Sequence, residues 1–384
     1  MTRPTRILMV MPSWVGDTIM ATPALRALRR AMPGAFIGGL VRPGIEALLA
    51  GSDLLDEIHI DRAIGMMGPK RVAAKVRLRR YDAAILLTNS FSTALTVRLA
   101  GVERRIGYDR DGRGLLLTDR LRAPLRRDTP PYSRSGTAPN DWAPIPACNY
   151  YFALVAHFLR SINADPGTMG AMEAVITPDE TAAADDLLRT IAPNQRPLAI
   201  LNPGGNNEAK RWPAERFAQL AAWLASERGM TVLISGAPSE AQLTASIAEQ
   251  VPPPHRAHII DLPGVLATPT PAPDPTPAQP RNPNPETRPT GLALLKAIIA
   301  RCALMVTNDT GPRHIAAALN IPIVTLFGST DHRWTTIPYT REQIVLADPT
   351  LPEEEVANDH PERCAIEQIG VEGVMAAAQS AMGV

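Results

Sequence analysis

Three short segments combine carboxylates, cations and glycines directly after apolar runs, which is where chemistry would be placed in an α/β protein. Residues 12–17 read Pro-Ser-Trp-Val-Gly-Asp, after the first apolar run of the chain. Asp17 could act as a base or bind a ribose there; it is equally suited to the first turn of a helix as a capping carboxylate. Residues 202–213 hold Gly204, Gly205, Asn206 and Lys210, and enter a helix through Pro213, expected as its first residue. Adjacent glycines let backbone N–H groups approach an anion, the helix start adds partial positive charge, and Lys210 supplies a full one. Residues 307–314 place Asp309, Thr310 and Gly311 at a helix start, with His314 one turn on and on the same face. Two such loops in one half of the chain argue for a nucleotide-sized anion site over two coincidental caps.

The elements that must hold these segments follow from the apolar pattern. Strands are expected at 6–11, 36–41, 83–88, 198–201, 231–235, 258–262, 303–307 and 321–327. Helices are expected at 17–31, 150–159, 214–228, 240–251, 292–301 and 311–319. Unbroken apolar strands between helices mean strands covered on both faces, hence parallel α/β sheets. The series runs twice, so two Rossmann-like domains are expected, 1–172 and 173–348, with a segment and helix over 349–384. Residues 263–290 are rich in Pro, Thr and Asn with little to bury, and read as an exposed insertion in the second domain. Residues 126–147 form a second loop-like stretch.

Other signals are weaker or exclude a class. One glycine follows the first strand where a dinucleotide fingerprint needs three, and no GxxxxGK is present, so neither a dinucleotide-binding enzyme nor a P-loop NTPase is indicated. Asp109-Arg110-Asp111 has a metal-binding spacing that arises often by chance, and the histidines lack ligand spacing; no metal and no cofactor are expected. Lys70, Arg71, Lys75, Arg77, Arg79 and Arg80 form a basic run suited to a solvated helix face, an acidic acceptor or an anionic membrane surface. The net charge of +1 carries no basic excess, so no nucleic-acid partner is expected. Cys148, Cys302 and Cys364 are scattered and odd in number, which fits a reducing compartment. No apolar run approaches the length of a membrane span, and the run after residue 6 is too short for a signal peptide, so a cytoplasmic location is expected.

The segments PSWVGD (12–17), LTNSFSTAL (87–95), PGGNNEAKRWP (203–213) and NDTGPRHIAAAL (308–319) together resemble the ADP-heptose:lipopolysaccharide heptosyltransferases of glycosyltransferase family 9, most closely their heptosyltransferase II branch. The resemblance implies a GT-B fold, two Rossmann-like domains with the active site in the cleft between them. It implies inverting, metal-independent transfer of heptose from ADP-heptose to the lipopolysaccharide inner core. Peripheral contact with the cytoplasmic face of the inner membrane and a monomeric state go with it. By position, Asp17 takes the role of base, and Gly204, Gly205, Asn206, Lys210, Asp309, Thr310, Gly311 and His314 that of the donor site. Ser13, Asn89, Ser90, Arg105, Arg110 and Arg113 are candidates for the anionic acceptor, with Arg104 beside them. The 349–384 segment is expected to pack back toward the first domain. Two departures stand out: the Pro-rich insertion has no counterpart in the pattern, and the Cys-rich C-terminal segment is reduced to Cys364. Alternatives are a related transferase with another donor or acceptor, and a nucleotide-sugar binding protein without catalysis.

Overall fold

A computed structural model describes residues 5–124, 142–267 and 291–383. The chain divides into two compact units, Met1–Val175 with His332–Pro338, and Ile176–Asp331 with Tyr339–Val384.

The first unit is built on strands β1 (Arg6–Val10), β2 (Phe36–Val41), β3 (Glu57–Ile60), β4 (Ala83–Leu86), β5 (Arg104–Tyr108) and β6 (Asp119–Leu121). Its helices are α1 (Val15–Met20), α2 (Thr22–Ala31), α3 (Gly68–Arg77), α4 (Phe91–Leu99) and α5 (Ala147–Ser161). The strands pair in the order β3-β2-β1-β4-β5-β6, all parallel. Ile7, Leu8, Met9 and Ala83–Leu86 are fully buried because helices cover both faces, which is why β1 and β4 have no polar alternation.

The second unit repeats the plan with β7 (Leu198–Asn202), β8 (Thr231–Ile234), β9 (Ile259–Asp261), β10 (Cys302–Asn308), β11 (Ile323–Phe327) and β12 (Glu342–Leu346). Its helices are α6 (Pro178–Ile191), α7 (Ala214–Ser226), α8 (Ala241–Gln250), α9 (Pro253–Arg256), α10 (Leu262–Ala267), α11 (Leu292–Ile299), α12 (Gly311–Ala318) and α13 (Val371–Met382). The order β12-β11-β10-β7-β8-β9 is again all parallel and has the doubly-wound connectivity of the first sheet. In each sheet the strand order reverses beside the first strand, between β1 and β4 and between β7 and β10. Ligands of open α/β sheets bind outside the carboxyl ends of the strands at that point. All four motif segments lie there: 12–17 follows β1, 87–95 follows β4, 203–213 follows β7 and 308–319 follows β10.

Four expectations are corrected. The helix expected over 17–31 is two helices, because Pro23 brings no N–H to continue the first and Thr22 turns its hydroxyl onto the Ile19 carbonyl at 2.7 Å. The insertion expected from residue 263 starts later: Leu262 and Pro263 are buried at the head of α10, and 268–290 lies outside the described residues. The 126–147 stretch lies outside them up to 141, but Trp142 is already buried and α5 begins at Ala147. The C-terminal helix belongs to the second unit. Val374 and Ala378 of α13 are fully buried in a cluster with Trp212, Val324, Leu326, Ile366 and Ile369, and the Trp212 indole donates to the Ile369 carbonyl at 2.9 Å. That apolar face is spent on the core of the second unit.

Candidate active site

In the first unit Asp17 lies in the first turn of α1; the N-cap position itself is taken by Trp14. Its carboxylate Oδ1 accepts a 2.6 Å hydrogen bond from the hydroxyl of Tyr151 on α5. Burial, and then the Asp17 charge beside it, push the Tyr151 phenol well above its ordinary range, so it stays protonated and acts as a donor. Asp17 is half-buried, and Ser13 and Trp14 of the same loop are exposed, Trp14 by 64%.

The β4–α4 loop is held by a second network. Ser90 is exposed and caps α4, accepting from the Thr93 N–H at 3.1 Å. The Asn89 amide oxygen accepts from the Tyr150 hydroxyl at 2.9 Å and from Arg113 at 3.2 Å, so its NH₂ is the part left to meet a ligand. Arg113 also donates to the Tyr108 carbonyl at 3.0 Å and to the Thr88 carbonyl. It is fully buried, which pushes its guanidinium down to about 10.

Two of the arginines expected at the acceptor are therefore corrected. Arg113 and Arg105 are buried and committed to backbone carbonyls, Arg105 to those of Leu116, Val102 and Glu103 at 2.6–2.8 Å. A guanidinium has no acceptor and a fixed set of donors, so one so tied organises loops and does not greet a ligand. Arg104 pairs with Asp119 at 2.7 Å. Arg110 remains, half-buried with its guanidinium 4.3 Å from the Trp142 ring centroid. Asp109 turns its carboxylate onto Gly114, where an added Cβ would lie 2.2 Å from Oδ1.

In the second unit the two motif loops are stitched together at their bases. Asn202, the last residue of β7, donates to the Thr310 hydroxyl at 2.8 Å and accepts from Ser235 at 3.1 Å. Asn308, the last residue of β10, donates to the Pro203 and Gly204 carbonyls at 2.8 and 3.1 Å and accepts from the Trp212 N–H at 3.3 Å. Both asparagines are buried; Asn308 satisfies backbone groups of the facing loop, and Asn202 ties the hydroxyls of Thr310 and Ser235. Glu240 accepts from the Gly205 and Ala237 N–H groups, each at 2.8 Å. Gly204 is required because a Cβ there would meet the Glu240 carboxylate at 2.3 Å. Gly205 is half-buried and Asn206 exposed. Pro213 sits at the N-cap of α7, one residue before the helix rather than inside it.

Lys210 and Asp309 begin a chain of ion pairs. Lys210 Nζ lies 3.1 Å from Asp309 Oδ2, Asp309 Oδ1 lies 3.2 Å from Arg313, and Arg313 Nε lies 2.6 Å from Glu342 Oε1. Only Lys210 reaches solvent, with 27% of its side chain exposed against 0–6% for the other three. Burial works to raise Asp309, but the charges of Arg313 and Lys210 outweigh it and hold the carboxyl below its usual range. Thr310 is the N-cap of α12, and Gly311 is its first residue. His314 is buried, which pushes it down to about 3, so it is a neutral imidazole; its Nδ1 has no partner among the described residues.

Tyr150, Tyr151, Asn202, Glu240, Asn308, Arg313 and Glu342 escape a reading of the sequence as site residues. Asn202, Asn308 and Arg313 lie inside the quoted segments and were detectable there. The tyrosines and Glu342 lie far along the chain in unremarkable helix and edge-strand contexts.

The family model of glycosyltransferase family 9 (heptosyltransferase) matches residues 70–266 and 287–365, breaking off across the Pro-rich stretch. The chain is 27% identical over 337 residues to lipopolysaccharide heptosyltransferase 2 of Escherichia coli K12, covering 86% of this chain and 84% of that protein. It is 26% identical to lipooligosaccharide heptosyltransferase 2 of Haemophilus influenzae, covering 86% and 85%. Its fold matches the structure of E. coli ADP-heptose lps heptosyltransferase II with a TM-score of 0.74 at 23% identity, over 98% of each chain. It also matches the E. coli heptosyltransferase WaaC with ADP-2-deoxy-2-fluoro heptose at a TM-score of 0.62 and 20% identity, over 98% and 99%. With two doubly-wound sheets of the GT-B type and a match across most of its length, the chain belongs to glycosyltransferase family 9, the heptosyltransferases.

Proposed function

We propose that this glycosyltransferase moves heptose from ADP-heptose to the lipopolysaccharide inner core, with inversion and without a metal ion. The reading draws on the names of its relatives, which are lipooligosaccharide and lipopolysaccharide heptosyltransferases and, for one solved structure, carry ADP-heptose in the name. One observation carries the chemistry: a carboxylate at the carboxyl end of β1, Asp17, gripped by a buried phenol. Inversion needs the acceptor hydroxyl to attack the anomeric carbon opposite the departing ADP. As the new C–O bond forms, Asp17 takes the hydroxyl proton, and the bond from the anomeric carbon to the phosphate oxygen breaks with its electron pair leaving on ADP.

The second unit serves the donor. Lys210 is the exposed end of the ion-pair chain, and Asp309 aims it. Lys210 and the Gly311 N–H at the head of α12 stabilise the diphosphate as charge builds on it. His314, held neutral, contributes shape and one hydrogen-bonding ring without adding charge. On the acceptor side Ser13, Ser90, the Asn89 amide and Arg110 remain the candidates, with Arg113 positioning Asn89.

The test is a transfer assay with ADP-heptose and a mono-heptosylated core lipid, beside calorimetric titration with ADP, UDP and GDP. Transfer with ADP-heptose and binding of ADP alone is the expected result. Preference for UDP or GDP would move the enzyme to another donor, and ADP binding without transfer would point to another acceptor.

A further inference from the structure

The loop joining β3 to α3 is apolar, exposed and cationic at once. Ile64 is 81% exposed, Met66 99% and Met67 53%, three large apolar side chains within four residues. Single exposed apolar residues are ordinary; a contiguous set marks an interaction surface. The loop is built to present them. The Gly68 N–H donates to the Gly65 carbonyl at 3.1 Å, so the two methionines occupy the central positions of a closed turn. Gly65 has φ +66, which a side chain would strain, and a Cβ on Gly68 would come within 2.8 Å of the Ala63 carbonyl carbon. The neck is pinched shut while the tip stands in solvent.

Charge surrounds the tip. Residues 62–80 contain Arg62, Lys70, Arg71, Lys75, Arg77, Arg79 and Arg80 and no acid. Arg79 pairs with Glu57 at 2.6 Å, whereas the exposed Arg62, Lys70, Arg71 and Lys75 form no ion pair among the described residues. Lys70 and Arg71 open α3 immediately after the methionines and Arg62 precedes them, so cations flank the apolar tip on both sides.

We propose that this loop docks the protein on an anionic bilayer, with Ile64, Met66 and Met67 entering the headgroup–acyl boundary and Arg62, Lys70 and Arg71 meeting lipid phosphates. A projecting apolar finger without polar groups at its tip fits a fluid surface, which needs no matching pocket. The flexible thioether side chains conform to such a surface. A soluble anion would explain the cations but leave the apolar tip without a role. The inference stands on exposure and charge and does not depend on which sugar is transferred.

The experiment is co-sedimentation of the full chain with phosphatidylethanolamine vesicles, with and without about one quarter phosphatidylglycerol. Wild type should partition onto the anionic vesicles and not the zwitterionic ones, with added salt weakening the partition. Both the Ile64→Ser/Met66→Ser/Met67→Ser variant and the Lys70→Glu/Arg71→Glu variant should lower it at least about tenfold. Melting temperature should not change, because every altered side chain is exposed. Transfer to a water-soluble, delipidated acceptor should also be unaffected. Failure of wild type to sediment with anionic vesicles would overturn the proposal, as would an apolar variant that binds them like wild type. A raised acceptor KM with unchanged vesicle binding would assign the loop to sugar recognition instead. Loss of heptose transfer in wild type, with vesicle binding intact, would remove the functional reading and leave the docking surface standing.

Discussion

At the scale of single residues, the hydroxyl of Tyr151 decides how Asp17 behaves. A donor 2.6 Å from a carboxylate favours its charged form and holds the carboxylate in one orientation. Asp17→Asn keeps the shape and removes the basicity; kcat should fall about 10²–10⁴-fold with ADP affinity nearly intact. Near-wild-type turnover would eliminate Asp17 as the base. Tyr151→Phe acts differently. Without the donor the charged carboxylate is disfavoured, so the acid limb of the kcat/KM profile should move to higher pH. An unmoved limb with lowered stability would reduce Tyr151 to packing. In the second unit, Lys210→Ala removes the exposed cation and leaves the buried pair Asp309–Arg313 in place. ADP binding should weaken by about 10–150-fold, as expected for one lost charge-assisted contact, and calorimetry reads it directly.

At the scale of elements, the turns after β7 and β10 hold their shape through asparagines that end the strands, not through helix caps alone. Asn308→Ala would strand two carbonyls and one N–H, all buried, and should cost on the order of 3 kcal/mol of stability in denaturant titration. A loss within experimental error would mean that water replaces the amide. This scale also marks what the sequence makes legible. The central strands β1, β4, β7 and β10 are read from apolar runs because they are covered on both faces. β3 (Glu-Ile-His-Ile), β5 (Arg-Arg-Ile-Gly-Tyr) and β12 (Glu-Gln-Ile-Val-Leu) are not, because polar residues interrupt their apolar pattern. The site behaves likewise. Segments that enter it along one stretch of chain, such as 202–213 and 307–314, announce themselves by composition. Tyr151 does not, since it meets Asp17 across 134 residues of sequence and nothing in the spacing foretells the contact. Arg105 and Arg113 mislead for the opposite reason: an arginine cluster looks alike whether its guanidinium groups face solvent or tie loops down from within.

For the whole molecule, the second unit is closed by residues on both sides of the Pro-rich stretch. α10 ends at Ala267 and α11 begins at Leu292, each defined without the residues between them, and the family match skips most of that interval. Replacing 268–290 by a short Gly/Ser segment should leave melting temperature and ADP affinity unchanged, because loop entropy varies only with the logarithm of length. A drop in melting temperature would show that the stretch packs. The placement of α13 bears on how the protein comes into being. Its Val374 and Ala378, with Ile366 and Ile369 before it, complete a core whose strands β7 and β8 are translated long before. While the ribosome is still short of α13, the emerging second unit carries an uncovered apolar face and the unsatisfied indole N–H of Trp212. A transcript broken before that helix is encoded therefore yields a polypeptide for chaperones and proteases, not a half-competent enzyme.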